Sequence, residues 1–170
     1  MDQNTLTADR VRELLNYCPE TGIFTRKIRT AQRHKASSRA DFLVTSGSSP
    51  GYHRVSVDSK RYQAHRVAWL YVHGVWPAEQ IDHINGVRSD NRIANLRVAD
   101  YTLNMENQRS AYRNNRSGLL GAIWDQQSSK WRGQIVVEKK KIHLGSFSTA
   151  QDAHAAYLEA KRTLHKGCTI

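Results

Sequence analysis

The sequence predicts an α+β protein with two small folded regions joined by a polar linker. Apolar residues recur at helical spacing in some segments and alternate at strand spacing in short runs between turn residues. Residues 113–118 interrupt this pattern with charged, amide and glycine residues typical of a linker. A chain of 170 residues with 39% hydrophobic residues suits one ordinary domain or two small ones, and its composition is not that of a disordered chain.

Residues 1–50 are predicted to form a helix, a short strand and a basic loop. The predicted elements are a helix over residues 5–16, a turn over 19–22, a strand over 23–26 and a segment over 27–50 that is mostly loop. Leu6, Val11 and Leu14 would share one face of the helix. The loop prediction rests on a basic, serine-rich composition, which also indicates mobility when no partner is bound.

Residues 51–112 are predicted to form a separate domain. The predicted elements are strands over 51–57, 61–63, 81–84 and 96–98, a helix over 64–72 and a second helix that ends near residue 109. Gly74 is a stop signal for the first helix, and Asp100 or Thr102 can cap the second. Asn85-Gly86 is a strong turn signal. The end of this domain is therefore a strand–loop–strand–helix unit.

Residues 119–170 are predicted to form a three-stranded antiparallel sheet packed on one helix. The predicted elements are strands over 120–124, 131–137 and 141–147 and a helix over 150–164. Thr149 can cap the helix, and Ala153 and Tyr157 lie on its apolar face.

The charge balance indicates a polyanionic partner. The formal net charge is +11, and residues 113–170 hold 10 Lys and Arg against 4 Asp and Glu. An excess of this size favours nucleic acid before a membrane surface. The C-terminal third is the more densely basic part of the chain.

Two cysteines and the absence of long apolar runs exclude several classes of protein. Cys18 and Cys168 are far apart and have no C-x-x-C spacing, so neither a disulfide framework nor a zinc cage is predicted. No apolar run has the length of a signal peptide or a membrane span. The sequence therefore predicts a reduced, cytoplasmic protein without a membrane partner.

The most informative feature of the chain is a set of polar residues at fixed spacing. Asp82 and His83 are adjacent, a turn at Asn85-Gly86 follows, and Asn104 supplies an amide further on. The full pattern is D-H-x-x-G-x-x-x-D-N-R-x-x-N-L-R, continued by N-x-x-N-Q-R from Asn104. Over residues 50–110 it resembles the HNH endonucleases, and within them the phage and intron-encoded homing type. The resemblance implies a small ββα-metal nuclease core that acts on double-stranded DNA.

The chemistry of these residues suits phosphodiester hydrolysis, which needs a base for water and stabilisation of the charge on the phosphate. The ordinary pKa of histidine suits the first task, so His83 is the predicted general base. Asp82 and Asn104 offer carboxylate and amide oxygens, which a hard ion such as Mg²⁺ or Mn²⁺ prefers. By resemblance, Asn95 braces the loop and steadies His83.

This assignment makes geometric demands. Adjacent residues of a regular strand point to opposite faces, so a bulge or a strand end at His83 is required. Asp82, His83 and Asn104 must also lie close together and within reach of solvent. His65, in an A-H-R-x-A-W segment that recurs in the same family, is predicted to have a packing role rather than a chemical one.

The C-terminal region resembles the plant-type APETALA/ethylene-response DNA-binding domain. The matching features are Gly121, Trp124, the run Lys130-Trp131-Arg132, the run Ile142-His143-Leu144-Gly145, Phe147 and the alanine-rich helix. The resemblance implies that the sheet enters the major groove. The predicted DNA contacts on the sheet are Trp124, Lys130, Arg132, Gln134, Lys141 and His143. Leu120 stands where such domains usually have a basic residue, so one contact is missing.

Arginines near the motif are predicted to bind phosphates without reading the base sequence. They are Arg88, Arg92, Arg97, Arg109, Arg113 and Arg116. Together with the sheet, they predict a site-specific endonuclease with a C-terminal reader domain.

Two other functions stay open. The first is a sequence-specific DNA-binding regulator that retains an inactive HNH scaffold, against which the intact Asp82, His83 and Asn104 argue. The second is an RNA-directed nuclease or RNA-binding protein, which the lack of an RNP-like aromatic strand motif disfavours. A single HNH unit without a clear dimer interface predicts a monomer that nicks, and a double-strand break would need dimerisation or sequential cuts.

Overall fold

Packing divides the chain between Ala99 and Asp100 in the computed structural model of the protein, which gives the units Met1–Ala99 and Asp100–Ile170. The structure describes residues 6–29, 32, 35–112 and 114–169. Over these residues the fold is mixed α+β, as predicted, with four α-helices and four small antiparallel sheets. The predicted domain limits at residues 50, 112 and 118 differ from this division and stay predictions.

The first unit contains two helices and seven short strands among its described residues. They are α1 (Ala8–Leu14), β1 (Leu15–Cys18), β2 (Ile23–Arg26), β3 (Asp41–Leu43), β4 (His53–Val57), β5 (Lys60–Gln63), α2 (Ala64–His73), β6 (Gln80–His83) and β7 (Leu96–Ala99). A 3₁₀ turn, Ile93–Asn95, precedes β7. The sheets are β1-β2, β3-β4-β5 and β6-β7, and each pairing is antiparallel.

The first helix is shorter than the sequence predicts. It begins after Thr7, whose hydroxyl accepts the Arg10 amide, and it ends at Leu14 rather than at residue 16. The prediction for its last turn is wrong because Leu15–Cys18 pairs with Ile23–Arg26 as a hairpin. This pairing buries alternate residues of the strand, which a helix would not do. The predicted start at residue 5 lies outside the described residues.

The segment over residues 27–50 is not all loop, because β3 joins the edge of β4. Asp41 explains this strand: its side chain is buried and accepts the Phe24 amide at 3.0 Å and Arg39 Nη2 at 2.9 Å. Asp41 Oδ2 also lies 2.5 Å from His53 Nδ1. Long-range polar bonds of this kind leave no periodic signal in the sequence. Residues 30, 31, 33 and 34 of the predicted loop lie outside the described residues.

The core of the first unit lies between α1, α2 and the neighbouring strands. Its most buried side chains include Val11, Phe24, Val55 and Val67, each with no exposed surface. The helix α2 stops at Gly74 in a left-handed conformation, with φ 78°, and the Gly74 amide donates to Leu70 O. The predicted glycine stop is therefore confirmed.

The second unit contains α3 (Tyr101–Glu106), β8 (Ala122–Asp125), β9 (Lys130–Val137), β10 (Lys140–Phe147) and α4 (Ala150–Leu164). The strand order is β10-β9-β8, all antiparallel, and α4 packs on this sheet, as predicted. Thr149 caps α4 by accepting the Asp152 amide at 3.1 Å. None of the helices described is long and apolar enough to cross a membrane.

The helix α3 ends earlier than residue 109, where the prediction placed its end. Asn107 follows Glu106 as the C-cap, and its side chain is buried and accepts a bond from Thr169 Oγ1 at 2.7 Å. The Lys161 ammonium group donates to the carbonyl of Gln108. These bonds within the second unit hold the chain after Glu106 in a non-helical path.

Candidate functional site

The strands β6 and β7 place the predicted catalytic pair. Asp82 lies opposite Arg97, and His83 lies opposite Leu96. The register is regular from Gln80 to His83, so His83 is the last residue of a strand rather than a bulge. The prediction asked for either a bulge or a strand end at His83, and the structure has a strand end.

Arg97 occupies one side of the Asp82 carboxylate. Arg97 Nε donates to Asp82 Oδ2 at 2.9 Å, and Arg97 Nη2 forms an ion pair with the same oxygen at 2.8 Å. The two side chains are 7% and 24% exposed, which makes this a mostly buried ion pair. Arg97 was predicted to bind phosphate, and in this structure its guanidinium contacts a carboxylate.

His83 faces away from that pair, toward Asn91 and two aromatic rings. Its Nε2 lies 3.1 Å from Asn91 Oδ1, and its ring centroid lies 5.1 Å from that of His65 and 5.8 Å from that of Tyr52. Burial lowers the pKa of His83, and the bond with Asn91 acts in the opposite direction. The imidazole is therefore neutral near pH 7, which is the state that a general base needs.

The requirement of solvent access is not met in this conformation. Asp82 is 6% exposed and His83 is 4% exposed. A phosphodiester or an attacking water must reach both groups, so a reaction here requires a local opening.

The loop between β6 and β7 is cross-braced by Asn95. Its Oδ1 accepts the Asn85 amide at 2.9 Å, and its Nδ2 donates to the Asp90 carbonyl at 2.8 Å. Arg92 closes the same loop with bonds of 2.8 Å and 2.6 Å to the Asp90 carboxylate. The Arg92 pair lowers the pKa of Asp90 to about 2. Asn95 thus holds the loop that follows His83.

Two residues near His83 were missed in the sequence. Tyr52 contacts the rings of both histidines, and Arg88 Cζ lies 5.2 Å from the centre of the Tyr52 ring. Asn91 has no role of its own in the sequence-based prediction, yet it is 2% exposed. Its position inside the D-N-R triplet was the only signal, and that triplet does not show which of its side chains is buried.

His65 has the packing role that its segment predicts. It is 7% exposed, and burial lowers its pKa to about 3, with the neighbouring His83 as a smaller cause. Among the described residues its Nδ1 has no hydrogen-bond partner. His65 therefore stays neutral throughout the physiological range of pH.

Asn104 lies on α3, which belongs to the second unit, whereas Asp82 belongs to the first. Their joint binding of one ion stays a prediction. Within the described part of the chain, no group of three or more His, Cys, Asp or Glu residues could hold a metal ion. The predicted pair, one carboxylate and one amide, is not a group of that kind.

The predicted phosphate-binding arginines have different surroundings. Arg88 is exposed and donates to the Pro50 carbonyl at 3.3 Å, while Arg109 donates to the carbonyl of Thr169 at 2.9 Å. Arg92 is exposed beside Asp90, and Arg116 is exposed in the second unit. Arg113 lies outside the described residues.

Five of the six residues predicted to contact DNA from the sheet share its open face, the face away from α4. On β9, Lys130, Arg132 and Gln134 alternate with the buried Gly133 and Ile135. On β10, His143 lies opposite Gln134 and Lys141 lies opposite Val136, which puts both side chains on that same face.

Trp124 is the exception among the six. It lies opposite Trp131 on the other face of the sheet, and the two rings meet edge to face at 5.2 Å. Trp124 is nevertheless 45% exposed. Trp131 is half-buried, which agrees with a packing role for that residue.

Comparison with known proteins supports the motif. A family model described as HNH endonuclease matches residues 62–104, a segment that runs from β5 into α3 and contains Asp82, His83, Asn95 and Asn104. Protein 3.8 of Escherichia phage T7 is 30% identical over 107 residues, which cover 62% of this chain and 87% of that protein. No solved structure matches the chain. The chain therefore belongs to the same family as phage T7 Protein 3.8 and carries an HNH endonuclease domain at residues 62–104.

Proposed function

We propose that the protein is a metal-dependent DNA endonuclease of the homing type. The observation that carries this proposal is the placement of a neutral His83 next to Asp82 at the end of β6, inside the matched HNH segment. His83 removes a proton from the attacking water, and Asn95 keeps the following loop in place around it.

The donor atoms of this chain fit a hard divalent ion. Asp82 and Asn104 would hold Mg²⁺ or Mn²⁺ through oxygen atoms, as the resemblance to a ββα-metal nuclease core implies. When bound, such an ion stabilises the charge that gathers on the phosphate and the leaving oxygen.

Duplex binding supplies the opening that the buried site requires. Phosphate oxygens compete for guanidinium groups, and two arginines lie at the site. Arg97 would exchange Asp82 for a phosphate, and Arg88 would leave the Tyr52 ring in the same way. Both movements expose the β6 end to the backbone of the bound DNA.

The second unit would select the target site. Its open sheet face carries Lys130, Arg132, Gln134, Lys141 and His143, a set of donors that can reach bases and phosphates in a major groove. This arrangement is what an APETALA-type reader domain would need. As a monomer with one HNH unit, the protein would nick one strand.

The alternative is a DNA-binding regulator with an inactive HNH scaffold. The Asp82–Arg97 pair is the observation that favours it, because the carboxylate already has a cationic partner without any ion. On that view the sheet binds DNA and His83 only packs.

Cleavage of supercoiled plasmid carrying a library of candidate sites separates the two functions. We expect nicking with Mg²⁺ or Mn²⁺, none with a chelator, and none by His83→Ala at full DNA binding. The matched control is His73→Ala, an exposed histidine at the end of α2, which should cut normally. Wild-type protein that binds duplex DNA but cuts no substrate with either ion would establish the regulator.

A further inference from the structure

Asn91 links His83 to a part of the chain outside the matched HNH segment. Its Oδ1 lies 3.1 Å from His83 Nε2, and the side chain is 2% exposed. Its own carbonyl accepts a bond of 2.6 Å from the Tyr17 hydroxyl, which is buried. Tyr17 lies on β1, in the hairpin β1–β2.

The turn of the same hairpin contacts Asn91 a second time. Gly22 has φ 71°, and its backbone lies so close to the Asn91–Arg92 peptide that an added Cβ would meet Asn91 C at 2.4 Å and Arg92 N at 2.5 Å. The backbone atoms of Asn91 and Arg92 could not move far enough to make room for a side chain at position 22. The hairpin therefore fixes the Asn91 backbone from two directions, at its carbonyl and at its peptide plane.

The contact with Asn91 selects one form of the His83 ring. An amide oxygen only accepts hydrogen bonds, so the ring nitrogen that faces Oδ1 carries the proton. Nε2 is thus the N–H, and Nδ1 is the nitrogen with the lone pair. In a neutral imidazole the hydrogen bond of one nitrogen sets the role of the other.

We propose that the hairpin β1–β2 is a positioning element of the nuclease and acts on His83 through Asn91. Tyr17 and Gly22 fix the Asn91 backbone, and Asn91 fixes the orientation and the Nε2–H tautomer of His83. This inference rests on the proposed function, in which Nδ1 of His83 accepts the proton of water. It extends the catalytic unit to residues 15–26, well before the matched segment at 62–104.

The tautomer can be measured without any activity. Long-range ¹H–¹⁵N spectra distinguish the two tautomers of a neutral histidine, and His83→Gln assigns the signal in the metal-free protein. We expect Nε2–H in the wild type, Nε2–H in Asn91→Asp, which keeps an acceptor, and a mixture of both tautomers in Asn91→Leu. An Nδ1–H wild type, or an unchanged signal in folded Asn91→Leu, would overturn the proposal.

Single-turnover cleavage tests whether the positioning of His83 affects the rate of DNA cleavage. Misplaced catalytic groups lose rate, so Asn91→Leu should cut on the order of 10- to 100-fold more slowly at unchanged DNA affinity. Tyr17→Phe should lose rate to a smaller extent. Tyr71→Phe is the matched control, since Tyr71 packs against Tyr17 at 5.7 Å and its hydroxyl makes no hydrogen bond within the described part of the chain. This variant should cut normally.

The two failures are distinguishable. A wild type that never cuts contradicts the proposed function, whatever tautomer His83 has. A wild type that cuts, with Asn91→Leu folded and equally fast, contradicts the positioning role alone.

Discussion

Arg97 Nε donates to Asp82 Oδ2 at 2.9 Å, and Arg97 Nη2 lies 2.8 Å from the same oxygen. The Asp82 carboxylate would compete with a DNA phosphate for the Arg97 guanidinium, because Arg97 is also a predicted phosphate ligand. The pair supports the structure of the free protein, and under the proposed function Arg97 would supply a phosphate contact once DNA binds.

Removal of the Arg97 side chain should destabilise the protein more than removal of an arginine from an exposed ion pair. Arg97→Ala leaves a buried carboxylate without this cation, and we expect the free energy of unfolding to fall by about 1–3 kcal/mol. Arg92→Ala is the control, because the Arg92 side chain is half-exposed in its pair with Asp90, and we expect a smaller loss. Urea denaturation at pH 7 measures both. Equal losses in the two variants would show that Arg97 does not support Asp82.

Acid should destabilise the fold through His65. Its pKa is lowered from 6.5 to about 3, so the folded protein binds the proton less readily than the unfolded chain. The stabilisation from neutral His65 is complete above pH 6.5 and is lost as the pH falls from 6.5 toward 3. The free energy of unfolding should therefore drop by up to about 1.4 kcal/mol per pH unit in this window.

His65→Phe should flatten this pH dependence. His83, whose pKa is also lowered, leaves a smaller slope in the variant. Urea denaturation of both proteins at pH 5 and pH 7.5 gives the comparison. A variant with the wild-type slope would mean that His65 is not buried in its neutral form.

DNA affinity should depend on the open face of the second unit. Arg132→Ala and Lys141→Ala should each reduce the slope of log K against log salt concentration by about 0.9 if each side chain neutralises one phosphate. Arg162→Ala is the control, because Arg162 is an exposed residue of α4, the helix that packs on the opposite face of the sheet. Fluorescence anisotropy with a labelled duplex measures the slopes. A larger change in slope for Arg162→Ala would show that DNA binds on the α4 side of the sheet instead.

The sequence predicted the C-terminal sheet and helix closely because their signals are local. Alternation sets β9 and β10, and the Thr149 cap sets the start of α4 at Ala150. The motif likewise located the segment that the HNH endonuclease model matches, since Asp82 and His83 stand there in a short pattern with fixed spacing. Local rules were sufficient wherever neighbours in the sequence decide the conformation.

The remaining features depend on contacts between residues far apart in the chain. Leu15–Cys18 continues a helical pattern, and only its pairing with Ile23–Arg26 makes it a strand. The burial of Asn91 depends on Tyr17, 74 positions earlier. The Asp82–Arg97 pair follows from the register of β6 and β7, which spacing alone does not give.

The central claim is that Asp82 takes part in binding a divalent ion next to His83. Mn²⁺ binding to the protein–DNA complex, followed by electron paramagnetic resonance in the uncut His83→Ala background, tests it most directly. We expect one ion to bind with DNA present and to be lost when Asp82→Asn or Asn104→Leu is added. Mn²⁺ binding that is absent with DNA, or unchanged by both substitutions, would contradict the account.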